Sequence, residues 1–377
     1  MLYLNRMRLP LAAAFLFALT AVVEFGPFVL WSARCEYLER YSHAYGAPTG
    51  IAAFSGPSRA ALIFSDVHVL GERRRTKLDM MWTDWGMRKA YVAAMLLMRP
   101  DDAVFLGDQL DEGSFARPEQ WKRYVERFER IFRFSSAPLN SVIKSVAGNH
   151  DVGGAFRMAA RSLARFEASF GHANIIVKRG GVEYVVLNSL AMERDERDPL
   201  SANAWSFVNS VVASVRPRVL LLHMPLFRPS DANCGRERSK ESGHVTYKAP
   251  NELLEVSTEV SSLKSSRRIV NALKPDIVVS GHLHARCERV FSEASANVTE
   301  ISVPSFSWRM RPDPSFALLR IDGDRSIRYK ICSVPNEHIV MVVTILWYVL
   351  AGIGIILRLM HDVYRREIKV EVIRKKL

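Results

Sequence analysis

The chain has 377 residues, with 52 Lys and Arg against 39 Asp and Glu, a net charge of +13, and 49% hydrophobic and 24% charged residues. At roughly 100–200 residues per domain this is one large domain or two ordinary ones, with ample length to bury a core. That mix excludes a disordered tail protein, a collagen and a disulfide scaffold. The four cysteines (Cys35, Cys234, Cys287 and Cys332) include no C-x-x-C pair, which excludes a zinc ribbon or a thioredoxin-type redox motif.

In chain order, residues 1–10 carry Arg6 and Arg8, and an apolar run of 21 residues follows, Leu11 to Trp31, interrupted only by Glu24 and Pro27. At about 1.5 Å per residue such a run crosses a hydrocarbon core about 30 Å thick. Its length and its bulky end at Phe28 and Trp31 predict an uncleaved signal-anchor rather than a cleaved signal peptide. Glu24 beside Gly26-Pro27 predicts a helix–helix contact.

Residues 32–338 read as one domain. Ala60 to Ser65, Ala103 to Leu106, Ser141 to Ala147, Val219 to Leu222 and Asp276 to Ser280 are short apolar runs that predict buried strands. Leu78 to Met98, Pro118 to Phe132, Ala155 to Phe170 and Leu263 to Leu273 carry helical patterns between them, so the order is mainly β-α-β-α and the class α/β. Gly180-Gly181 separates Ile175 to Val177 from Val182 to Asn188 as a hairpin. Thr299 to Val303, Phe316 to Ile321 and Ile327 to Ile331 add late strands, so two packed sheets fit better than one. Arg228 to Ser262, polar and without apolar periodicity, predicts a loop over the active site.

A second apolar run of 19 residues, Ile339 to Leu357, precedes the basic tail 358–377. The positive-inside bias places both ends in the cytosol and the domain between them in a lumenal or extracellular, oxidising compartment. Cys35 and Cys332 flank the two spans and could tie them together, leaving Cys234 with Cys287; three pairings are open. Asn297-Val298-Thr299 is a glycosylation sequon, usable if its loop is exposed and idle if it lies in a strand. The domain keeps a charge of about +8, which suits membranes or phosphate-bearing substrates, and the topology argues against nucleic acid. Arg374-Lys375-Lys376-Leu377 approximates a cytosolic dibasic retrieval signal that a coat protein or cargo receptor could read; plain positive-inside charge is the other reading.

The strand ends carry the chemistry. The five runs lead into Asp66-Val67-His68, Gly107-Asp108-Gln109-Leu110-Asp111, Gly148-Asn149-His150-Asp151, His223, and Gly281-His282-Leu283-His284. A lone His or Asp after a strand is usually a turn residue, but five such blocks in order deliver oxygen and imidazole groups to one sheet edge, where open α/β folds bind ligands. Mixed Asp, Asn and His sets suit Mn, Fe or Zn, whereas calcium takes nearly all oxygen.

With these blocks the chain resembles the calcineurin-like metallophosphoesterase superfamily, whose members carry D-x-H, G-D-x-x-D, G-N-H-[DE], H and G-H-x-H in that order. The resemblance implies a four-layer αββα sandwich flanked here by two transmembrane helices. It also implies two divalent ions, manganese first with iron or zinc as alternatives. One would sit on Asp66, His68, Asp108 and His284, and the other on Asp108, Asn149, His223 and His282, with Asp108 bridging. His150 becomes the candidate leaving-group acid. Asp111 and Asp151 would orient loops and imidazoles behind the ligands, a plain turn role being an equal reading. Asp111-Glu112-Gly113 and Asp151 replace the Asp-Arg-Gly and Glu of protein Ser/Thr phosphatases, which disfavours a phosphoprotein substrate.

Gly107 to Gly113, His223 to Arg228, Ser230 to Cys234, Ser280 to Cys287 and Glu300 to Arg309 resemble, within that superfamily, the ER/Golgi phosphoesterases that remodel GPI anchors (the post-GPI-attachment type). This implies removal of an ethanolamine-phosphate side branch from a mannose of protein-linked GPI, in an ER-to-Golgi membrane with the catalytic domain lumenal. GPI-anchored proteins would be the substrates. The alternatives are a lumenal phosphoesterase on another lipid or nucleotide, and a non-catalytic metal-binding or cargo-sorting membrane protein. Arg228, Arg309 and Arg311 are expected at the phosphate or glycan. Phe306 and Trp308 are expected in packing rather than in sugar stacking.

Overall fold

The computed structural model describes residues 2–42, 59–133, 142–212, 216–241 and 248–375. Helix α1 (Leu2–Ser42) precedes β1 (Arg59–Phe64), α2 (Lys77–Met98), β2 (Asp102–Phe105), α3 (Pro118–Ile131), β3 (Val142–Ile143), the single turn α4 (Asn149–Val152) and α5 (Ala160–Phe170). The hairpin β4 (Ile175–Arg179) and β5 (Val182–Val186) leads to α6 (Pro199–Ser210), β6 (Arg218–Leu221), the short α7 (Gly235–Ser239), α8 (Leu263–Leu273) and β7 (Ile277–Ser280). Strands β8 (Cys287–Phe291), β9 (Val298–Ser302), β10 (Ser315–Ile321) and β11 (Ile327–Ser333) precede the final helix α9 (Glu337–Arg374).

The strands form two sheets, ordered β11-β10-β1-β2-β3 and β4-β5-β6-β7-β9-β8. Leu62 of β1 lies opposite Ala103 in a parallel pair and opposite Leu318 in an antiparallel one. The two-residue side-chain period then sorts the core. Ala61, Ile63, Val104 and Leu106 share one cluster between the sheets with Tyr184, Val186, Leu221, Val279 and Ile301. Leu62, Phe64 and Phe105 point the other way, where Phe64 meets Tyr91 of α2 at 5.3 Å and Phe105 meets Phe128 of α3 at 5.0 Å. On the second sheet Val185, Leu220 and Val278 share the outer cluster with Ala204 and Val208 of α6 and Ile269 and Leu273 of α8. This is a helix-sheet-sheet-helix arrangement, in which each fully buried aliphatic chain contributes about 1.5–3 kcal/mol.

Local signals set the boundaries. Thr76 caps α2 by accepting from the Asp79 amide at 3.1 Å, and left-handed Arg99 ends it. Ser262 caps α8 in the same way at 3.2 Å. The third strand is shorter than expected: only Val142–Ile143 joins the ladder, and Ser141 lies outside the described residues. Beyond it the Gln109 side-chain amide donates to the carbonyls of Lys144 at 2.9 Å and Val146 at 3.2 Å, replacing the neighbouring strand. Helix α5 starts at Ala160 rather than Ala155 because residues 155–157 form a separate turn, closed by the Arg157 and Met158 amides donating to the Gly154 carbonyl at 2.8 and 2.9 Å. Helices α6 and α7 and strand β8 were not expected, although the Asp198 cap with Pro199 at the first position of α6 is a readable start signal.

Within α1 and α9, Ala14–Cys35 and Glu337–Ile368 are long and apolar enough to cross a membrane. Cys35 is bonded to Cys332 and Cys234 to Cys287, which settles the pairing. Phe28 of α1 packs on Trp85 at 5.9 Å and Trp308 at 6.0 Å. Thr20 accepts from the Trp347 indole of α9 at 3.1 Å, and Glu24 binds both Lys89 of α2 and Tyr348 of α9. Of the C-terminal dibasic sequence, Lys376 and Leu377 lie outside the described residues. Asn297 is exposed just before β9.

Candidate metal centre

The ligand-type residues stand at the carboxyl ends of β1, β2, β6 and β7 and on the first turn of α4, all at one edge of the sandwich. The backbone there is strained. Of nine non-glycine residues with positive φ among those described, five are Asp66, His68, Asp108, His282 and His284. Such conformations cost about 1–3 kcal/mol each and persist only where surroundings over-determine them. Two glycines make room for the carboxylates. A Cβ on Gly148 would lie 2.1 Å from the Asp108 amide nitrogen and Oδ1, and one on Gly281 would lie 1.9 Å from Ser65 Oγ and 2.7 Å from Asp66 Oδ2.

Asp108 is the centre of the arrangement. Its Oδ1 accepts the His150 amide at 2.8 Å, which turns Oδ2 to within 3.5 Å of both His68 Nε2 and His223 Nε2. On one side, Asp66 Oδ1 lies 3.6 Å from His284 Nε2 and 4.0 Å from His68 Nε2, and is buried without a hydrogen-bond partner. On the other, His223 Nε2 is 3.0 Å from Asn149 Oδ1 and 3.1 Å from His282 Nδ1. The outward nitrogens are committed elsewhere: His223 Nδ1 donates to the Leu106 carbonyl at 2.8 Å and His282 Nε2 to the Thr258 carbonyl at 2.8 Å. Lone pairs therefore face each other across the site. Together with the orphaned Asp66 oxygen, these contacts fit cations on two ligand sets that share Asp108.

Protonation suits that role. Burial pushes the Asp66 carboxyl up, but the His284, His223 and His68 imidazoles more than reverse this and hold it well below the usual range. Asp108 is likewise lowered, by His223, His150 and His68 against burial. Burial lowers His68, and burial with the neighbouring His223 sends His282 down to about 4. The carboxylates are thus ionised and these two imidazoles neutral at pH 7, as ligation requires.

His150 Nδ1 donates to the Asp111 carbonyl at 2.7 Å and the ring stands edge-on to His68 at 4.6 Å, with its side chain 37% exposed. Burial disfavours its charge, but Asp108 and the Asp111 carbonyl outweigh that and raise its pKa. Asp111 Oδ1 sits 3.5 Å from His68 Nδ1, close enough to act on the ring by charge, while that buried nitrogen makes no hydrogen bond. Asp151 accepts the amides of Leu110 at 3.0 Å, Gly148 at 3.1 Å and Gln109 at 3.3 Å, so it ties two ligand loops together; burial and the charge of Asp108 raise its pKa well above the ordinary value.

The three arginines expected at the substrate are placed elsewhere. Arg228 is 2% exposed and held by Asp231 Oδ1 at 2.7 Å. Arg311 is 3% exposed, bound to Asp313 and Glu241 and donating to the His284 carbonyl at 2.7 Å, so it braces a ligand loop from behind. Arg309 joins Asp79 of α2 to Glu337 of α9. Phe306 and Trp308 are buried, with Trp308 seated over Gly86 and donating to the Pro335 carbonyl at 3.0 Å. Sequence reading missed the Thr258 and Leu106 carbonyls, because a backbone acceptor has no residue type, and Ser65 and Ser305, which bond Asp66.

A family model of calcineurin-like phosphoesterases matches residues 61–286. The chain belongs to this family of metal-dependent hydrolases, which use a dinuclear divalent centre. It is 32% identical over 373 residues to Metallophosphoesterase 1 of Ailuropoda melanoleuca, covering 93% of this chain and 88% of that one. With Metallophosphoesterase 1 of Mus musculus the identity is 33% over 351 residues, covering 87% and 83%. Among solved structures, the purple acid phosphatase of yellow lupin seeds aligns at a TM-score of 0.44 and 12% identity, covering 76% of this chain and 55% of that one.

Proposed function

We propose that the protein is a manganese-dependent phosphodiesterase that removes an ethanolamine-phosphate side branch from a mannose of the GPI glycan on GPI-anchored proteins, in the ER-to-Golgi membrane with its catalytic domain lumenal. Such removal assists export of those proteins, and the cytosolic tail is the segment offered to a coat protein or cargo receptor. The observation that carries the reading is the pair of ligand sets sharing Asp108, set in a domain whose two ends leave as apolar helices joined by Cys35–Cys332. A cystine there suits an oxidising lumen. Anchoring at both ends keeps the site near a bilayer, which raises its effective concentration toward a lipid-anchored substrate.

When bound, a divalent pair supplies Lewis-acid polarisation of the phosphoryl oxygen and a water of lowered pKa. Asp66, His68, Asp108 and His284 would hold one ion, and Asp108, Asn149, His223 and His282 the other. His150, anchored through Nδ1, presents Nε2 toward the departing oxygen and gives it a proton. The Asp111 carboxylate faces His68 Nδ1 at 3.5 Å, on the side of the ring away from Nε2. The test is incubation of detergent-purified protein and Mn²⁺ with a GPI glycan carrying ethanolamine phosphate. Release of phosphoethanolamine that is lost in Asp108→Asn supports the reading, and intact glycan alongside cleavage of a generic aryl phosphodiester overturns the substrate.

A further inference from the structure

A cleft of about 570 Å³ opens beside the second ligand set, with Asn149 and His282 in its wall. Phe156 and Glu255 also line it, together with Arg157, and all three are exposed; Phe156 keeps 70% of its surface in solvent. Neither Glu255 nor Arg157 has an ion-pair partner among the described residues. A carboxylate without an ion pair at the mouth of a site for an anionic phosphodiester repels the phosphate locally and attracts a cation that the substrate carries.

The position of Glu255 is built rather than incidental. Its amide donates to Glu259 Oε2 at 2.6 Å, and its carbonyl accepts the amides of Glu259 at 2.8 Å and Val260 at 3.2 Å. The same turn supplies the Thr258 carbonyl that holds His282 Nε2, and its left-handed Ser257 is pinned to Glu193 at 2.6 Å. The carboxylate is therefore carried on a turn locked to a ligand of the centre.

We infer that Glu255 and Phe156 form a cation subsite that takes an ammonium group on the alcohol esterified to the phosphate, while Arg157 faces the phosphate oxygens. A carboxylate supplies charge and an aromatic face supplies its quadrupole, which together select a zwitterionic phosphoester over an anionic isostere that lacks the ammonium. The inference rests on the phosphodiesterase reading and adds to it the residues that choose the substrate.

The test compares O-phosphorylethanolamine with propyl phosphate, which replaces the ammonium by a methyl group, as ligands of the Mn-loaded full-length protein in calorimetry. The expected result is roughly three- to tenfold tighter binding of O-phosphorylethanolamine, a preference that shrinks with added salt. Glu255→Gln brings the ratio close to one and Phe156→Leu reduces it. Glu252→Gln, an exposed carboxylate of the same segment outside the cleft, keeps it. Equal binding by the wild type, or an unchanged ratio in Glu255→Gln, overturns the subsite. A parallel assay uses the 2-aminoethyl and propyl esters of p-nitrophenyl phosphate, where the preference should appear in KM rather than kcat. Cleavage of both without preference overturns the subsite alone. Cleavage of neither, with the binding preference intact, overturns the phosphodiesterase reading and leaves the subsite standing.

Discussion

Lys89, on the first helix of the catalytic domain, forms an ion pair with Glu24, which lies inside the N-terminal apolar helix. A carboxylate in such a helix is costly without a partner, and here the catalytic domain supplies one. The contact expected of Glu24 from sequence is thus made twice, to α2 and to Tyr348 of α9. Lys89→Met removes the cation and leaves the carboxylate only the Tyr348 hydroxyl, and should destabilise the detergent-solubilised protein by about 3 kcal/mol, whereas adding Glu24→Gln should recover most of the loss. Thermal unfolding of the four-member cycle measures this; additive losses would show that the pair is not coupled.

Asp108→Asn should cost more than the roughly hundredfold typical of groups behind a ligand, because Oδ2 faces both histidine sets. Bound metal, counted by elemental analysis, should fall with the rate while circular dichroism stays native. Full turnover in that variant would remove Asp108 from the bridging position.

His150→Ala should slow an alkyl phosphodiester by about a hundredfold or more and a p-nitrophenyl diester far less, since only the poor leaving group needs the proton. Equal losses on both substrates would assign the His150 ring to positioning, through its bond to the Asp111 carbonyl and its packing on His68.

The depressed histidines set a pH window. The unfolded chain protonates these imidazoles near their ordinary 6.5, whereas folded His68 stays below that and His282 titrates at about 4. Their contribution to metal-free stability is therefore present above about pH 6.5 and is lost as pH falls from there toward about 4. Protons compete with metal over the same low range. Imidazole resonances of the metal-free protein followed from pH 8 to 4 should show His68 and His282 still largely neutral at pH 6; midpoints near 6.5 for both would mean ordinary imidazoles.

The ligand blocks were readable because metal chemistry demands particular residue types at strand ends, and no neighbour is needed to recognise Gly148-Asn149-His150-Asp151. Arg228, Arg309 and Arg311 were misread for the opposite reason. Whether a guanidinium meets substrate or a buried carboxylate is decided by residues distant in sequence, such as Glu241 and Glu337. Strand β8 escaped notice because Cys287–Phe291 is a sheet edge with three partly exposed positions, which breaks the apolar run. Arg228 to Ser262 was read as a loop over the site, and the turn holding Thr258 does border it; its cystine and buried ion pairs left no local periodicity to read.

The bond between Cys35 and Cys332, 297 positions apart, has a consequence for proteolysis. It makes the catalytic domain a covalent ring, so a single cut between those positions opens the ring without parting the fragments. A cut outside it frees one helix and leaves the other attached. The domain is held by a helix at each end, so its shedding in soluble form takes two cleavages, and a molecule nicked once within the ring migrates as a single species until it is reduced.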